Sequence, residues 1–474
     1  MNTQSRLSEA FPNGYSRNET SAAVLRPFPR TKLGRFGSTL CQLLEEQSIR
    51  YCLIGASEND SHVPDLAVHP ADRDRLRGVF EPLRQEGYVA VECVPFAVES
   101  DRFYFACLLE PQTHFVSMNV VYGYRGEGLN WKNTIGLVQR RVRCGDHWGL
   151  SAEDEFAYWL GQNSMRGTLE QHQERRLKAL VVDLGCEDAE KSAGRVYSEG
   201  RKREIVRACA DGTISKLTDG WKKGLRRKRL RQQPTSEIAY ALKDGWRLVR
   251  RWWKPSGLFL ALLGPDGVGK STTTANIKRD LTPLFSQQRE FHWRPQLLMP
   301  RPEDPRPGDR SGRLQEMFSQ NRHGDPPRGF LISTVRLLGV MLDYWIGYFT
   351  QIRGRLVRSG LIVFDRYYHD ILVDSLRYRY GGSKWFLRAL RFALPPWRVF
   401  FLILDADEQI VYSRKQELTL SEIQYQRAAY RELSTQLPSA LLIRTDTGLE
   451  MCRDQALRGI VEHLGRRFRS LSGY

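Results

Sequence analysis

The stretch GPDGVGKST, residues 264–272, decides how the carboxyl half of this chain is read, and it follows the unbroken apolar run LFLALL at 258–263. A glycine, four residues, then Gly-Lys-Ser is the spacing of a phosphate-binding loop set between a buried strand and a helix. Glycines let the backbone curl until successive amide hydrogens point into one hollow, and the start of the next helix adds partial positive charge. The loop nominates Gly264, Gly267, Gly269, Lys270, Ser271 and Thr272 as contacts for ATP. Lys270 is expected to reach the β- and γ-phosphates, and the Ser271 hydroxyl to ligate Mg²⁺.

Working outward, further apolar runs at 361–364, 399–404 and 440–443 alternate with helical sequence. That alternation predicts a P-loop NTPase domain of α/β class over 255–474, a parallel sheet covered by helices. GLIVFDRYYHD at 360–370 reads as a strand ending in Asp365 and Arg366, at the sheet edge where ligands bind. Asp365 is a candidate to hold Mg²⁺ through water or to position an acceptor, and Arg366 to clamp a phosphate. Seven prolines between 295 and 327 mark an irregular insertion, the kind that serves as a lid or substrate loop or is disordered.

These residues carry a resemblance. GPDGVGKST, with the acidic Asp266 inside the loop, resembles the phosphate loop of the thymidylate kinase family, and DRYYHD resembles that family's DRY segment. HWRP at 292–295 and FLILDADEQIVYSRKQE at 401–417 are more loosely similar to its Arg-containing motif and its arginine-bearing lid. The resemblance implies that Asp266 contacts an acceptor sugar hydroxyl, that Arg294 and Arg366 hold acceptor phosphate, and that Arg414 closes over the transferring group. With Lys270, Asp365 and Arg366, it makes Arg414 a candidate catalytic residue. The chain departs from the family after DRY, where it reads HDILVDSLRYRY, so phosphoryl transfer is implied more firmly than thymidylate as acceptor.

The whole chain has 474 residues and a net charge of +18. That length predicts two domains. Eight scattered cysteines, with no paired zinc-ligand spacing, fit reduced thiols in a cytoplasmic protein. Residues 1–33 are polar and aperiodic and read as a disordered lead-in. The most apolar window, 329–349, contains Arg336 and Asp343 and reads as an amphipathic helix buried against protein rather than a membrane span.

Over 34–190 the pattern is α+β: a helix at 34–47, strands at 51–55 and 64–69, a helix from Pro70, strands around 102–121, and helix from 152 to 182. YCLIGASENDSHVPDLAVH resembles the core of the nucleotidyltransferase fold, in which two alternating carboxylates on one strand and a third on a later strand hold two metals. Here Asp65 stands with Val63 two residues before it, and Asn119 occupies the later strand. A degenerate nucleotidyltransferase-like domain retained for binding is one reading, and an unrelated α+β domain is the other.

Residues 191–254 read as a basic helical connector: 201–254 carries 17 Lys or Arg against 5 Asp or Glu, with Trp221, Trp246, Trp252 and Trp253 interspersed. This suits a solvated interdomain helix, or contact with the inner membrane face through 201–254, and suits nucleic acid less well. The partners expected are a small-molecule or glycan phosphoryl acceptor and a second copy in a homodimer. Composite chains of this kind resemble proteins of bacterial surface polysaccharide synthesis. The alternatives are an ATP-binding regulatory scaffold of such an assembly and an active nucleotidyltransferase-kinase fusion.

Overall fold

The helix expected at 34–47 forms over Lys32–Glu46 (α1), and the apolar segments after it become strands β1 (Tyr51–Ile54) and β2 (Asp65–Val68). They pair antiparallel, with Leu53 opposite Leu66 and Ile54 opposite Asp65. The structure is a computed structural model that describes residues 32–54, 65–108, 113–125, 131–166, 169, 171–218, 234–298, 326–396, 398–416 and 418–472. The lead-in to residue 31, Val63 within 55–64, the basic run 219–233 and most of the proline-rich insertion, 299–325, lie outside the described residues.

Strands β3 (Tyr88–Ala97), β4 (Ser100–Cys107), β5 (His114–Val121), β6 (Gly123–Arg125), β7 (Trp131–Asn133), β8 (Val142–Cys144) and β9 (His147–Gly149) follow. They build a mixed seven-stranded sheet of order β3-β4-β5-β2-β1-β9-β8, with β6 and β7 paired separately. The helix expected from Pro70 is broken into short turns at Pro70–Asp72 and Arg75–Val79 before a helix at Phe80–Gln85.

The chain divides into two compact units, residues 1–90, 95–105 and 116–245, and residues 91–94, 106–115 and 246–474. In the first, α2 (Ala152–Arg166), α3 (Gln171–Gly194) and α4 (Glu199–Asp211) share one core. Ala193, Val196, Tyr197, Ile205 and Cys209 are buried in it beside Phe156, Leu160 and Leu177. Part of the segment that composition assigns to a connector is thus core of the amino-terminal unit, because its apolar residues recur at helical spacing beneath the surface charge. Helix α5 (Pro234–Trp253) follows.

The second unit holds a five-stranded sheet of β10 (Leu258–Leu263), β11 (Gln288–His292), β12 (Leu361–Asp365), β13 (Phe400–Asp405) and β14 (Ala440–Arg444). Its order is β11-β12-β10-β13-β14, and every pairing is parallel. β10 and β13 are buried along their whole length, which is why they read as continuous apolar runs. Edge strand β11 has exposed Arg289 and Glu290 at its centre and gives no such run. Phe259, Phe364 and Phe291 stack across β10, β12 and β11 at centroid distances of 4.9 and 5.0 Å.

Helices α6 (Lys270–Asp280), α7 (Phe330–Gly347), α8 (Glu408–Arg414), α9 (Leu420–Gln436) and α10 (Leu449–Ser472) complete the unit. Helix α7 is buried on one side only, where Leu337, Val340, Met341 and Tyr344 join the core. Its two charged residues, Arg336 and Asp343, also face inward and are buried. The run Phe330–Val357 is long and apolar enough to cross a membrane by length and composition, and 44% of its most apolar window is buried within the protein.

Candidate functional site

The turn after β10 has left-handed φ at Gly264 (145°) and Gly267 (85°). A Cβ on Gly264 would stand 2.6 Å from the Leu404 carbonyl oxygen, and one on Gly267 3.0 Å from that of Val411, so neither position admits a side chain. Gly269 is the N-cap of α6. Lys270, in the first turn, is buried and folds back to donate to the carbonyl oxygens of Gly264 (2.9 Å) and Pro265 (2.8 Å). Burial, then repulsion from Arg366, pushes its ammonium down to about 8. It is mostly protonated at neutral pH.

A cavity of about 760 Å³ opens over this loop at the carboxyl ends of the strands. It is lined by Asp266, Lys270, Ser271, Thr272, His292, Asp365, Arg366 and Arg414, among others. Asp365 at the end of β12 is bonded through Oδ2 to His292 Nδ1 at 3.1 Å. Its Oδ1 is buried with no hydrogen-bond partner. Burial alone would raise the Asp365 carboxyl, but His292 and Lys270 hold it below the usual range, so it is an anion. Ser271 is exposed at the cavity floor. An orphaned carboxylate oxygen and a hydroxyl one helical turn into a phosphate loop fit Mg²⁺, which takes its remaining ligands from water and phosphates. Among the described residues no cluster of three or more His, Cys, Asp or Glu forms a metal site of protein ligands alone.

Asp266 and Arg366, which the sequence placed a hundred residues apart, meet in an ion pair. Arg377 Nη1 donates to the other Asp266 oxygen at 2.5 Å. Burial would raise Asp266, but Arg366, Lys270 and Arg377 hold it well below the usual carboxylate range. Arg366 adopts a left-handed φ of 66°, strain held by its surroundings. Behind it, Asp370 is fully buried and accepts from Arg366, from the Tyr378 hydroxyl at 2.8 Å and from the Tyr430 hydroxyl. Three carboxylates (Asp266, Asp365, Asp370) thus balance three cations (Lys270, Arg366, Arg377).

Arg414 and Lys415, at the end of α8, are exposed at the cavity rim. Arg294 is not among the lining residues. It is buried, with Nη1 3.2 Å from Asp343, whose carboxylate also accepts from the backbone N–H groups of Gln296, Leu297 and Leu298. Sequence reasoning missed Arg377, Asp370, Lys415 and the loop after β14. There Thr445 bonds the Val268 carbonyl at 2.7 Å, and Thr445, Asp446, Gly448 and Leu449 form a further wall. The clue on offer for the first two was that DRYYHD and SLRYRY follow β12 closely.

In the amino-terminal unit, Asp65 and Asn119 do meet, on β2 and β5: Asn119 Nδ2 donates to Asp65 Oδ1 at 2.8 Å. Arg102 Nε donates to Asn119 Oδ1 at 2.6 Å, and the Tyr158 hydroxyl lies 3.5 Å from Asp65 Oδ2. One carboxylate that accepts from an amide and a phenol, with a guanidinium behind the amide, does not fit a two-metal centre, which needs several carboxylates.

No family model matches the chain, and no curated protein matches it. The crystal structure of thymidylate kinase from Ehrlichia chaffeensis is similar over 43% of this chain and 98% of that one, at 14% identity and a TM-score of 0.29. A likeness at that score carries no weight beside the geometry of the loop and sheet.

Proposed function

We propose that the carboxyl-terminal unit is a P-loop kinase that transfers the terminal phosphoryl group of ATP to a small acceptor, a nucleoside monophosphate or a sugar- or glycan-type molecule. What carries the reading is the convergence on one cavity of a glycine-rich loop with its folded-back Lys270 and the Asp266–Arg366–Arg377 cluster. Lys270 and the loop amides hold the nucleotide phosphates. Ser271 and Asp365 hold Mg²⁺, which when bound neutralises charge on the phosphates.

Arg366 and Arg377 supply fixed positive charge where negative charge is redistributed. Phosphoryl transfer asks for little else, since its catalysis is mainly positioning and electrostatic stabilisation. Asp266 keeps both guanidiniums in place and offers the acceptor a hydroxyl partner. Arg414 and Lys415 close the rim, whereas Arg294, buried against Asp343 and off the cavity wall, fastens the chain after β11 instead of holding acceptor phosphate. The amino-terminal unit takes the role of a binding domain that selects the acceptor.

The test is ADP release from ATP and Mg²⁺ by the full chain across dTMP, other nucleoside monophosphates and sugar or glycan acceptors, with Lys270→Ala as control. Acceptor-stimulated release lost in the variant supports the reading. ATP binding with no acceptor-dependent release across the panel overturns it in favour of a nucleotide-gated scaffold.

A further inference from the structure

Helix α5 turns an apolar face to solvent. Ile238, Leu242, Trp246, Val249 and Trp253 are spaced four, four, three and four apart, so they share one side of the helix within an arc of about 80°. They are 55, 69, 69, 45 and 76% exposed. Arg250, Lys243, Arg247 and, just past the last turn, Lys254 run along one flank of that stripe, with Asp244 and Glu237 on the far side. A helix patterned this way normally buries its apolar stripe against a core; here nothing described covers it.

The C-terminal turn of α5 packs on the far end of the long helical run that begins with α7. Arg251 Nη2 donates to the Val357 carbonyl at 2.7 Å, and the Arg353 guanidinium lies 5.6 Å from the Trp252 ring centre. That run continues the anomaly: Leu331, Val335, Leu338 and Leu342 face outward while Arg336 and Asp343 face in. Between 330 and 349 there is no other charged residue, so the outer side of α7 is uncharged.

We propose that α5 rests on an anionic lipid surface. Exposed indoles on the apolar side with cations along its flank are what an interfacial helix needs: the rings settle at the acyl boundary while Lys and Arg stems reach head groups. From Pro234 to Lys254 there are five basic residues against two acidic ones. A second copy brings the same excess and is repelled by it, whereas an anionic bilayer is attracted. The surface lies outside the cavity over the phosphate loop and does not depend on the transfer reaction.

The full chain should co-sediment with vesicles of phosphatidylcholine containing roughly a third phosphatidylserine, less with phosphatidylcholine alone, and less again as salt is raised. Leu242→Glu with Trp246→Glu should cut partitioning at least about tenfold. Arg247→Ala and Arg250→Ala should each cost about fivefold on the anionic vesicles only. Leu242, Trp246 and Arg250 are exposed and Arg247 is partly buried, and unchanged melting and ATP binding confirm that each variant is folded. Absence of vesicle binding, equal binding to uncharged vesicles, or binding retained by the double glutamate variant overturns the proposal. If vesicles fail to bind and the same variant turns a dimer into a monomer in sedimentation, the face belongs to a second copy.

Discussion

Asp370→Asn isolates one charge at constant shape. The asparagine keeps the volume and an acceptor oxygen, but Arg366 loses its closest fully buried counter-charge. Burial opposes the charge on that guanidinium, and Asp370 is the first group that restores it. Leaving one member of a buried pair uncompensated costs about 3–5 kcal/mol. Two tyrosine hydroxyls are also left competing for a weaker acceptor, but Asp266 still faces Arg366, so the expected loss is about 3 kcal/mol, the lower end of that range. For a unit of this size each kcal/mol moves the melting temperature by about 2–4 °C, so the variant should melt about 6 to 12 °C lower. Calorimetry on the full chain measures this, and titration with ATP gives the companion reading. The phosphate loop does not touch Asp370, so ATP affinity at a temperature where the variant is folded should stay near wild type, while acceptor KM rises as Arg366 loses its anchor. Melting indistinguishable from wild type would refute the claim that Asp370 sustains Arg366, and an unchanged acceptor KM would refute the role given to Arg366.

Lys270→Ala should abolish acceptor-dependent ADP release and weaken ATP binding by at least about tenfold, read by calorimetric titration. Gly264→Ala forces a Cβ against the Leu404 carbonyl at a left-handed φ, and strain alone should cost on the order of 2 kcal/mol, with a lower urea midpoint and lost ATP binding. Arg414→Ala, at the exposed rim, should leave stability unchanged and lower kcat with little effect on ATP affinity. Burial pushes His369 down to about 3 and His463 to about 4, so both stay neutral in the fold where the unfolded chain takes up protons. Stability should therefore be full above about pH 6.5 and fall toward pH 4 by about 1.4 kcal/mol per unit per histidine, and His369→Gln should remove about half of that slope in urea titrations.

The phosphate loop and four of the five strands of its sheet were legible: β10, β12 and β13 because strands buried on both faces carry continuous apolar runs, edge strand β14 because it is apolar although partly exposed, and the loop because its spacing is dictated by phosphate geometry. β11 was not, since an edge strand with Arg289 and Glu290 outward has no run to read. Asp365 and Arg366 could be nominated from a strand end and Asp266 from the resemblance of its loop, but their partners could not: Arg377 lies 111 residues beyond Asp266, and Tyr430 lies 60 beyond Asp370. Residues 191–218 look like basic connector by charge count, yet every few positions a buried Ala, Ile or Cys ties them to a core. Likewise the composition of 329–349 is silent on direction; only packing reveals that Arg336 and Asp343 point in and the leucines out.

The carboxylate of Asp343 gathers three successive backbone N–H groups and the Arg294 guanidinium at the threshold of the proline-rich segment. It acts as a mooring: everything on the sheet side of Leu298 is fastened to α7, whatever follows on the other side. A segment tied off in this way can be lengthened, shortened or exchanged over generations without re-registering β11 or Arg294 against the phosphate loop. Changes in chain length beyond Leu298 would then stop at Asp343 and leave the cavity over the loop after β10 as it is.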